Sequence, residues 1–160
     1  MRIRPAVESD LPAMREIFNA IAAAGDALPF SSAMAPETFY SHWFGAHRAY
    51  VAEDGAGIIG MYKVGANYPD RGSHIGSATY LVAPAAQGKG VGRALVTHSI
   101  AQALEDGFLA MQFNYVVSTN AAAVTLYEKL GFTIAGTLPR AFLHAALGLV
   151  DAYVMYKPLR

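Results

Sequence analysis

Apolar residues recur along this chain at spacings that predict an ordered series of helices and strands. Near the N-terminus, the positions i, i+3, i+4 and i+7 of one predicted helix are all apolar: Met14, Ile17, Phe18 and Ile21. This pattern predicts an amphipathic helix with Ser9 as its N-cap and Gly25 just beyond its last turn. A short strand over residues 3–7 precedes it. A second helix, over residues 36–44, follows it, and its aromatic side chains are expected to pack in the core.

The remaining chain predicts strands and two further helices. Asp54-Gly55-Ala56-Gly57 separates two apolar stretches and is typical of a hairpin turn. Asn120 is predicted to cap a helix whose C′ residue is Gly131. The predicted strands cover residues 49–53, 58–64, 74–83, 109–119, 132–138 and 149–158, the helices cover residues 91–105 and 120–130, and residues 65–72 and 139–148 are predicted to be connections.

The predicted strand over residues 109–119 contains polar residues where a central strand should be apolar. On a regular strand, one face would hold Leu109, Met111, Phe113, Tyr115 and Val117. Gln112 and Asn114 would then point to the other face. Because an unpaired buried amide is costly, these two side chains either bond to neighbouring backbone or bind a substrate.

The order of elements predicts an α/β fold of the mixed α+β kind. Its central sheet should be mostly antiparallel, with about seven strands flanked by about four helices. No linker or internal repeat divides the chain, so residues 1–160 are expected to form one domain.

Composition restricts the partners that this chain can have. The 12 basic and 12 acidic residues cancel, and no basic cluster is dense enough to follow a nucleic-acid backbone. The absence of cysteine excludes disulfides, a thiol nucleophile and thiolate metal sites. The N-terminus lacks a secretory signal, and the longest apolar run, residues 141–150, is too short to span a bilayer. We therefore expect a cytoplasmic protein that binds neither nucleic acid nor membrane.

A glycine-rich stretch between a strand and a helix predicts an anion site. Gly88, Gly90 and Gly92 can expose backbone N–H groups, and the helix that follows directs its positive end to the same place. Lys89 and Arg93 add positive charge. Two better-known phosphate-binding motifs do not fit here. The third glycine of the G-x-G-x-x-G fingerprint is missing, and so is the Ser or Thr that follows Gly-Lys in the P-loop. A Q-x-x-G-x-G pattern, beginning at Gln87, does fit.

Two motifs stand in order along the chain: Gln87 to Gly92 fits Q/R-x-x-G-x-G/A, and Asn120 to Phe132 fits N-x-x-A-x-x-L-Y-E-K-L-G-F on a helix. With both motifs in this order, the chain resembles the GCN5-related N-acetyltransferases, which transfer acetyl groups from acetyl-CoA to amines. The runs M-Q-F-N-Y-V-V-S-T-N and G-T-L-P-R-A-F-L-H-A-A-L-G-L-V-D-A-Y-V-M-Y are also similar to those of the proline-analogue N-acetyltransferases. The resemblance implies acetyl-CoA as co-substrate and no metal.

The resemblance also implies which residues hold the cofactor. The strand before the loop would offer its backbone to the pantetheine arm, and the loop would bind the pyrophosphate. The implied cofactor-binding residues are Tyr80, Leu81, Val82, Gln87, Gly88, Lys89, Gly90, Val91, Gly92, Arg93 and Asn120. For Asn120, a role as a simple helix cap is an equally good interpretation.

Tyr127 is the implied general acid, because a phenol can protonate the leaving CoA thiolate. The general base does not follow from the family pattern. Ser77 and Tyr115 stand where many relatives place a glutamate, so this chain departs from the family pattern. His74 is the best substitute on pKa grounds, and deprotonation by solvent is an equal alternative.

The acceptor is expected to be a small-molecule amine, an amino acid or a proline-like analogue. Asn114 is the first choice for a residue that binds it, and Phe30, Phe113 and His144 are further candidates. A homodimer is left open. Two rival functions are a non-catalytic acyl-CoA-binding module and a nucleotide-binding module that uses the same loop.

Overall fold

The computed structural model describes residues 1–31 and 33–160, which form a mixed sheet with helices on both faces. The seven strands of the described chain are β1 (Arg2–Pro5), β2 (Arg48–Asp54), β3 (Gly57–Ala66), β4 (Ile75–Val82), β5 (Ala110–Val117), β6 (Thr133–His144) and β7 (Gly148–Pro158). The helices are α1 (Leu11–Ala24), α2 (Pro36–Phe44), α3 (Val91–Glu105) and α4 (Ala121–Lys129). This order of strands and helices is the one that the sequence predicts.

The sheet has the strand order β1-β2-β3-β4-β5-β7-β6. All neighbouring strands are antiparallel except β4 and β5, so the predicted mixed, mostly antiparallel sheet is confirmed. The parallel pair is short, because only Ile75 with Ala110 and Gly76 with Met111 are in register. Beyond these pairs the two strands diverge and leave a wedge-shaped opening in the middle of the sheet.

The two faces of the sheet bury different clusters, as the alternation of side chains along a strand requires. On one face, Val51 and Met61 pack with the apolar sides of α1 and α2. On the other face, Tyr50 and Tyr62 pack with the first turns of α3. Helix α1 ends where predicted, since Gly25 follows it in the left-handed conformation with φ of 67°. Among the described residues, no helix is both long enough and apolar enough to cross a bilayer.

The prediction of Ser9 as the N-cap of α1 is wrong. Ser9 lies inside a short 3-10 turn, Glu8–Asp10, and Asp10 occupies the N-cap position. The Asp10 carboxylate accepts a hydrogen bond from Val7 N at 2.8 Å, and it pairs with Arg4 at 2.8 and 2.9 Å. An ion pair between β1 and the start of α1 therefore fixes this corner in place of a serine cap.

Residues 139–148 are not the predicted connection, because β6 continues to His144 and pairs with β7 almost to the turn. A shift in register between Leu138 and Phe142 accommodates Pro139, which lacks an N–H, and Arg140, whose φ is 54°. Arg140 N donates to Asp151 Oδ1 at 2.9 Å. The proline that suggested a loop is thus absorbed in a bulge.

The predicted alternation along β5 also fails beyond Phe113. The register with β7 shifts between Phe113 and Val116, so that the strand carries one extra residue there. As a result Tyr115 is exposed and Val116 is buried, the reverse of the prediction. This bulge lies at the widening end of the wedge.

Candidate active site

A cavity of about 290 Å³ fills the opening between β4 and β5, and we call it the wedge cavity. It is lined by Phe18, by residues 27–30, by His42 and Trp43 of α2, by residues 77–81 of β4, by residues 113–117 of β5, and by Asn120, Ala123 and Tyr127. No Asp or Glu lies among these lining residues of the described chain. The polar lining consists of hydroxyl, amide, imidazole and indole groups.

A second, larger cavity of about 860 Å³ follows the glycine loop, and we call it the loop cleft. It is lined by the end of α1, the end of β4, the loop that leads into α3, and the start of α4. Gly88 and Gly90 have φ of 75° and 83°, values at which a side chain is strained, and nothing lies within 4 Å of the Cβ that either would carry. Gly92 lies within α3 and has no positive φ.

The loop cleft has backbone and charge features that suit an anion. The hydrogen bonds of α3 begin with Ala94 N, which donates to Gly90 O at 3.1 Å. In the described chain, the amides of residues 88–93 before it form no such bond with a backbone carbonyl outside the helices and strands, so they are available to a ligand. Because they lie at the positive end of α3 beside Arg93, they suit a phosphate or pyrophosphate.

Most residues predicted to bind the cofactor line the loop cleft. These are Tyr80, Leu81, Val82, Gln87, Gly88, Gly90, Gly92, Arg93 and Asn120. Lys89 is exposed and does not line the cleft. Val91 is buried against the other side, where it packs near Gly60, so only its backbone faces the loop.

The two cavities meet, because six residues line both of them: Ala27, Tyr80, Leu81, Asn120, Ala123 and Tyr127. Asn120 caps α4, with its Oδ1 accepting from Ala123 N at 3.3 Å. Its side-chain amide nitrogen has no such bond among the described residues. Capping therefore leaves this Asn120 donor available at the junction.

Tyr127 stands at this junction on an aromatic platform. Its ring centroid is 4.7 Å from that of Phe113, 6.0 Å from Phe132 and 6.1 Å from Tyr80. Burial raises the pKa of the Tyr127 hydroxyl above its ordinary value. The phenol therefore keeps its proton at neutral pH.

Asn114 lines the wedge cavity, but its amide is already engaged. Asn114 Nδ2 donates to Asn67 Oδ1 at 2.6 Å, and Asn114 Oδ1 accepts from Gln112 Nε2 at 2.9 Å. The three side chains form a row of amides across the widening end of the wedge. One lone pair and one N–H of Asn114 are left for a ligand.

The structure places the remaining predicted residues in three different environments. Phe30 lines the wedge cavity and packs against His42, with ring centroids 5.3 Å apart. His144 lines the loop cleft, where its Nδ1 accepts from Ala146 N and Leu147 N in the turn of the β6–β7 hairpin. His74 is exposed in the turn before β4 and lines neither cavity.

Sequence reasoning missed two polar residues of the wedge cavity and one beside it. His42 and Trp43 line the cavity, and Lys63 Nζ lies 3.3 Å from His42 Nε2. Burial, together with the nearby charges of Lys63 and His47, lowers the pKa of His42 to about 4. Burial lowers the pKa of Lys63 to about 8. The available signal was a lysine in the apolar stretch of residues 58–64.

No cluster of three or more His, Cys, Asp or Glu side chains able to hold a metal ion is found in the part of the chain that the structure describes. The polar side-chain groups at the junction of the two cavities are the hydroxyls of Tyr80 and Tyr127 and the amide of Asn120. Together with the backbone amides of the adjoining glycine loop, they can donate hydrogen bonds, bind an anion and supply a proton.

Comparison with known proteins gives matches over nearly the whole fold. A GCN5-related N-acetyltransferase from Kribbella flavida superposes with a TM-score of 0.94 and 40% identity, over 98% of this chain and 96% of that one. The yncA protein from Salmonella typhimurium, solved with its cofactor acetyl-CoA, superposes with a TM-score of 0.87 and 26% identity, over 100% of this chain and 94% of that one.

Among curated proteins, the N-acetyltransferase aca1 from Schizosaccharomyces pombe is 39% identical over 98 residues, which cover 61% of this chain and 47% of that protein. The chain spans about half or less of the length of the first curated relatives that it matches. The family model described as Acetyltransferase (GNAT) family matches residues 11–132, which form most of the chain and include both cavities' junction. The chain therefore belongs to the GNAT acetyltransferase family.

Proposed function

We propose that this protein transfers the acetyl group of acetyl-CoA to the amine of a small molecule, an amino acid or a proline-like analogue, by direct attack on the thioester. The observation that carries this proposal is the meeting of the loop cleft and the wedge cavity at Tyr127. A cofactor in one cavity and an acceptor in the other would bring their reacting atoms together there. We also propose that residues 1–160 act as one domain, since α1, α2 and α4 all contribute to the two cavities.

The residues of the loop cleft fit acetyl-CoA. The amides of residues 88–93 would hold the pyrophosphate, with Arg93 beside them. Beyond Gly76, β4 has no partner on the side of β5, so the backbone of residues 80–82 can bond to the amides of the pantetheine arm. When bound, acetyl-CoA supplies an activated acyl group. The acetyl-CoA complex of yncA, which has the same fold, supports this assignment.

Tyr127 would act as the general acid. Its hydroxyl has no hydrogen-bond partner among the described residues, and its raised pKa keeps it protonated. It can therefore give its proton to the departing thiolate, whose pKa is about 8.5.

The acceptor amine would reach the wedge cavity in its neutral form. Since no carboxylate of the described chain lines this cavity, no side chain there can act as the glutamate base that many relatives use. We propose that solvent removes the proton before attack, and the proposal gives no role to His74, which is exposed and lies outside both cavities. Turnover should then rise with pH until the free amine predominates.

The experiment that tests this function measures amine-dependent release of the CoA thiol from acetyl-CoA with a panel of amino acids and simple amines. We expect the wild type to release thiol with at least one small amine. The variant Gly90→Val should release none, because its side chain would occupy the anion site and a residue with a side chain is strained at a φ of 83°. A protein that binds acetyl-CoA but releases thiol with no amine of the panel would contradict transfer.

The absence of a carboxylate base among the described lining residues favours one alternative, a module that binds acyl-CoA without transferring the acyl group. The same assay separates the two functions, because only the enzyme releases thiol. Thermal shift with CoA, ATP and NAD tests the ligand class separately. Stabilisation by CoA alone agrees with both functions, and stabilisation by ATP or NAD alone would point to a nucleotide-binding module.

A further inference from the structure

Lys63 is a buried cation that the proposed reaction does not use. It lies on β3 opposite Thr79 of β4, and only 7% of it is exposed. The ion pairs of the described chain join Arg2, Arg4 or Arg48 to carboxylates, and none includes Lys63. A buried ammonium without a counter-ion is costly, so its position calls for an explanation.

The contacts of Lys63 direct its charge toward the wedge cavity. Its Nζ donates to His42 O at 2.8 Å and lies 3.3 Å from His42 Nε2. It also lies 5.6 Å from the ring centroid of Trp43. His42 and Trp43 both line the cavity, whereas Lys63 stands directly behind them. The positive charge is thus separated from the cavity by one layer of side chains.

Two N–H donors belong to the residues that line this end of the cavity, and neither has a partner among the described residues. Trp43 is fully buried, and its Nε1 has no hydrogen-bond partner among the described residues. With the Lys63 ammonium at Nε2, the neutral His42 ring carries its hydrogen on Nδ1 and can donate it. An indole N–H without a partner needs a hydrogen-bond acceptor. Because this N–H lies beside a buried cation, an anionic oxygen is the acceptor that satisfies it best.

From this geometry we propose that the His42–Trp43 end of the wedge cavity binds the carboxylate of the acceptor, and that Lys63 supplies the compensating charge from behind. The inference rests on the proposed function and narrows its substrate class to small amines that bear a free carboxylate. Trp43 Nε1–H and His42 Nδ1–H donate to the carboxylate oxygens. Because no Asp or Glu of the described chain lines the cavity, no lining carboxylate repels the carboxylate of the acceptor.

A purely structural role for Lys63 predicts different results. In that case its stem packs in the core, its ammonium bonds to His42 O, and its removal destabilises the fold without changing the preference between acceptors. A carboxylate site predicts the opposite pattern. Removing an uncompensated buried charge should leave the fold as stable or more stable, while selectivity for carboxylates is lost.

Trp43 provides the readout, because it is the only tryptophan in the chain. Intrinsic fluorescence can therefore follow ligand binding at this end of the cavity without any acetyl transfer. The probes are L-proline, L-alanine, L-methionine and β-alanine, each paired with its carboxamide and titrated in the presence of CoA. The proteins are the wild type, Lys63→Met and the control Lys129→Met, which removes an exposed lysine of α4 that lines neither cavity.

We expect at least one acid to bind the wild type and Lys129→Met at least about tenfold more tightly than its amide. Lys63→Met should lose this preference while its melting temperature stays equal or rises. If Lys63→Met does not fold, Trp43→Phe provides the test instead, because it keeps an aromatic ring but removes the N–H. This variant should have a higher KM for the acid than the wild type and an unchanged KM for the amide.

The results separate this inference from the proposed function. Equal binding of acid and amide for every pair, or an unchanged preference in Lys63→Met, would overturn the carboxylate site. Thiol release with amides would then still support acetyl transfer. A carboxylate preference that depends on Lys63, without thiol release from any amine, would support the site and contradict transfer.

Discussion

Replacing Tyr127 with phenylalanine isolates the hydroxyl from the ring. The ring makes the packing contacts of this residue, with centroids of Phe113, Phe132 and Tyr80 at 4.7, 6.0 and 6.1 Å. The hydroxyl has no hydrogen-bond partner in the described part of the chain, so its loss should change the free energy of unfolding by about 1 kcal/mol or less. Any larger effect on turnover is then chemical.

The expected loss of kcat is about tenfold to a thousandfold, or about 1.4 to 4 kcal/mol in the activation free energy. The upper end is limited because the pKa of the CoA thiolate, about 8.5, already allows water to protonate it slowly. The affinity for acetyl-CoA should stay the same, since the loop amides and β4 are unchanged. Thiol release under saturating acetyl-CoA and acceptor measures the first quantity, and calorimetric titration with CoA measures the second.

The pH profile gives an independent check. An acid must be protonated to act, and burial raises the pKa of Tyr127 above its ordinary value. The wild-type kcat should therefore show no decline below about pH 10. The matched control is Tyr153→Phe, a tyrosine that packs against the same cluster but lines neither cavity. An unchanged kcat in Tyr127→Phe, with chemistry shown to limit the rate, would refute the role of Tyr127 as acid.

Three further predictions concern the loop, the acceptor site and the N-terminal corner. Gly90→Ala should weaken acetyl-CoA binding because the loop needs a φ of 83°, and normal affinity in calorimetry would contradict this. Asn114→Ala should lower kcat/KM for the acceptor by a factor that corresponds to about 1 to 3 kcal/mol, and it should leave acetyl-CoA affinity unchanged. Weaker acetyl-CoA binding with unchanged acceptor kinetics would instead place Asn114 in the cofactor site. Asp10→Asn should cost about 1 to 3 kcal/mol of stability at neutral pH, because Arg4 then loses one of its two carboxylate partners and keeps only Glu53. The Arg4 guanidinium lowers the pKa of Asp10, so this stabilisation is present above about pH 4 and is lost as the pH falls through the lowered pKa. Denaturant unfolding of the wild type and Asp10→Asn at several pH values measures the difference in stability.

The features that local sequence specifies were predicted well. The glycine loop and α3 follow from backbone freedom and the apolar spacing after it, and α3 spans Val91–Glu105 as expected. Asn120 caps α4 as expected, since an N-cap bond joins residues only three apart. The order of strands and helices followed from such local patterns.

Long-range features were harder to predict. The bulge beyond Phe113 depends on pairing with β7, which lies some forty residues further along the chain. Tyr80 lies on β4 and His74 just before it. The sequence does not show which end of this strand lines the opening between β4 and β5. Lys63, His42 and Trp43 meet only because β3 packs against α2, and the aromatic pattern of α2 favoured core packing over a place in a ligand pocket.

The most direct test of the account is to incubate the protein with acetyl-CoA labelled with ¹³C in its acetyl carbonyl and with a mixture of amino acids and their carboxamides. Mass spectrometry then locates the label. Direct attack of the amine on the thioester predicts labelled N-acetyl product from a carboxylate-bearing amine and no label on the protein. Label only in free acetate, label retained on acetyl-CoA, or an acetylated protein that passes its label to the amine would contradict it.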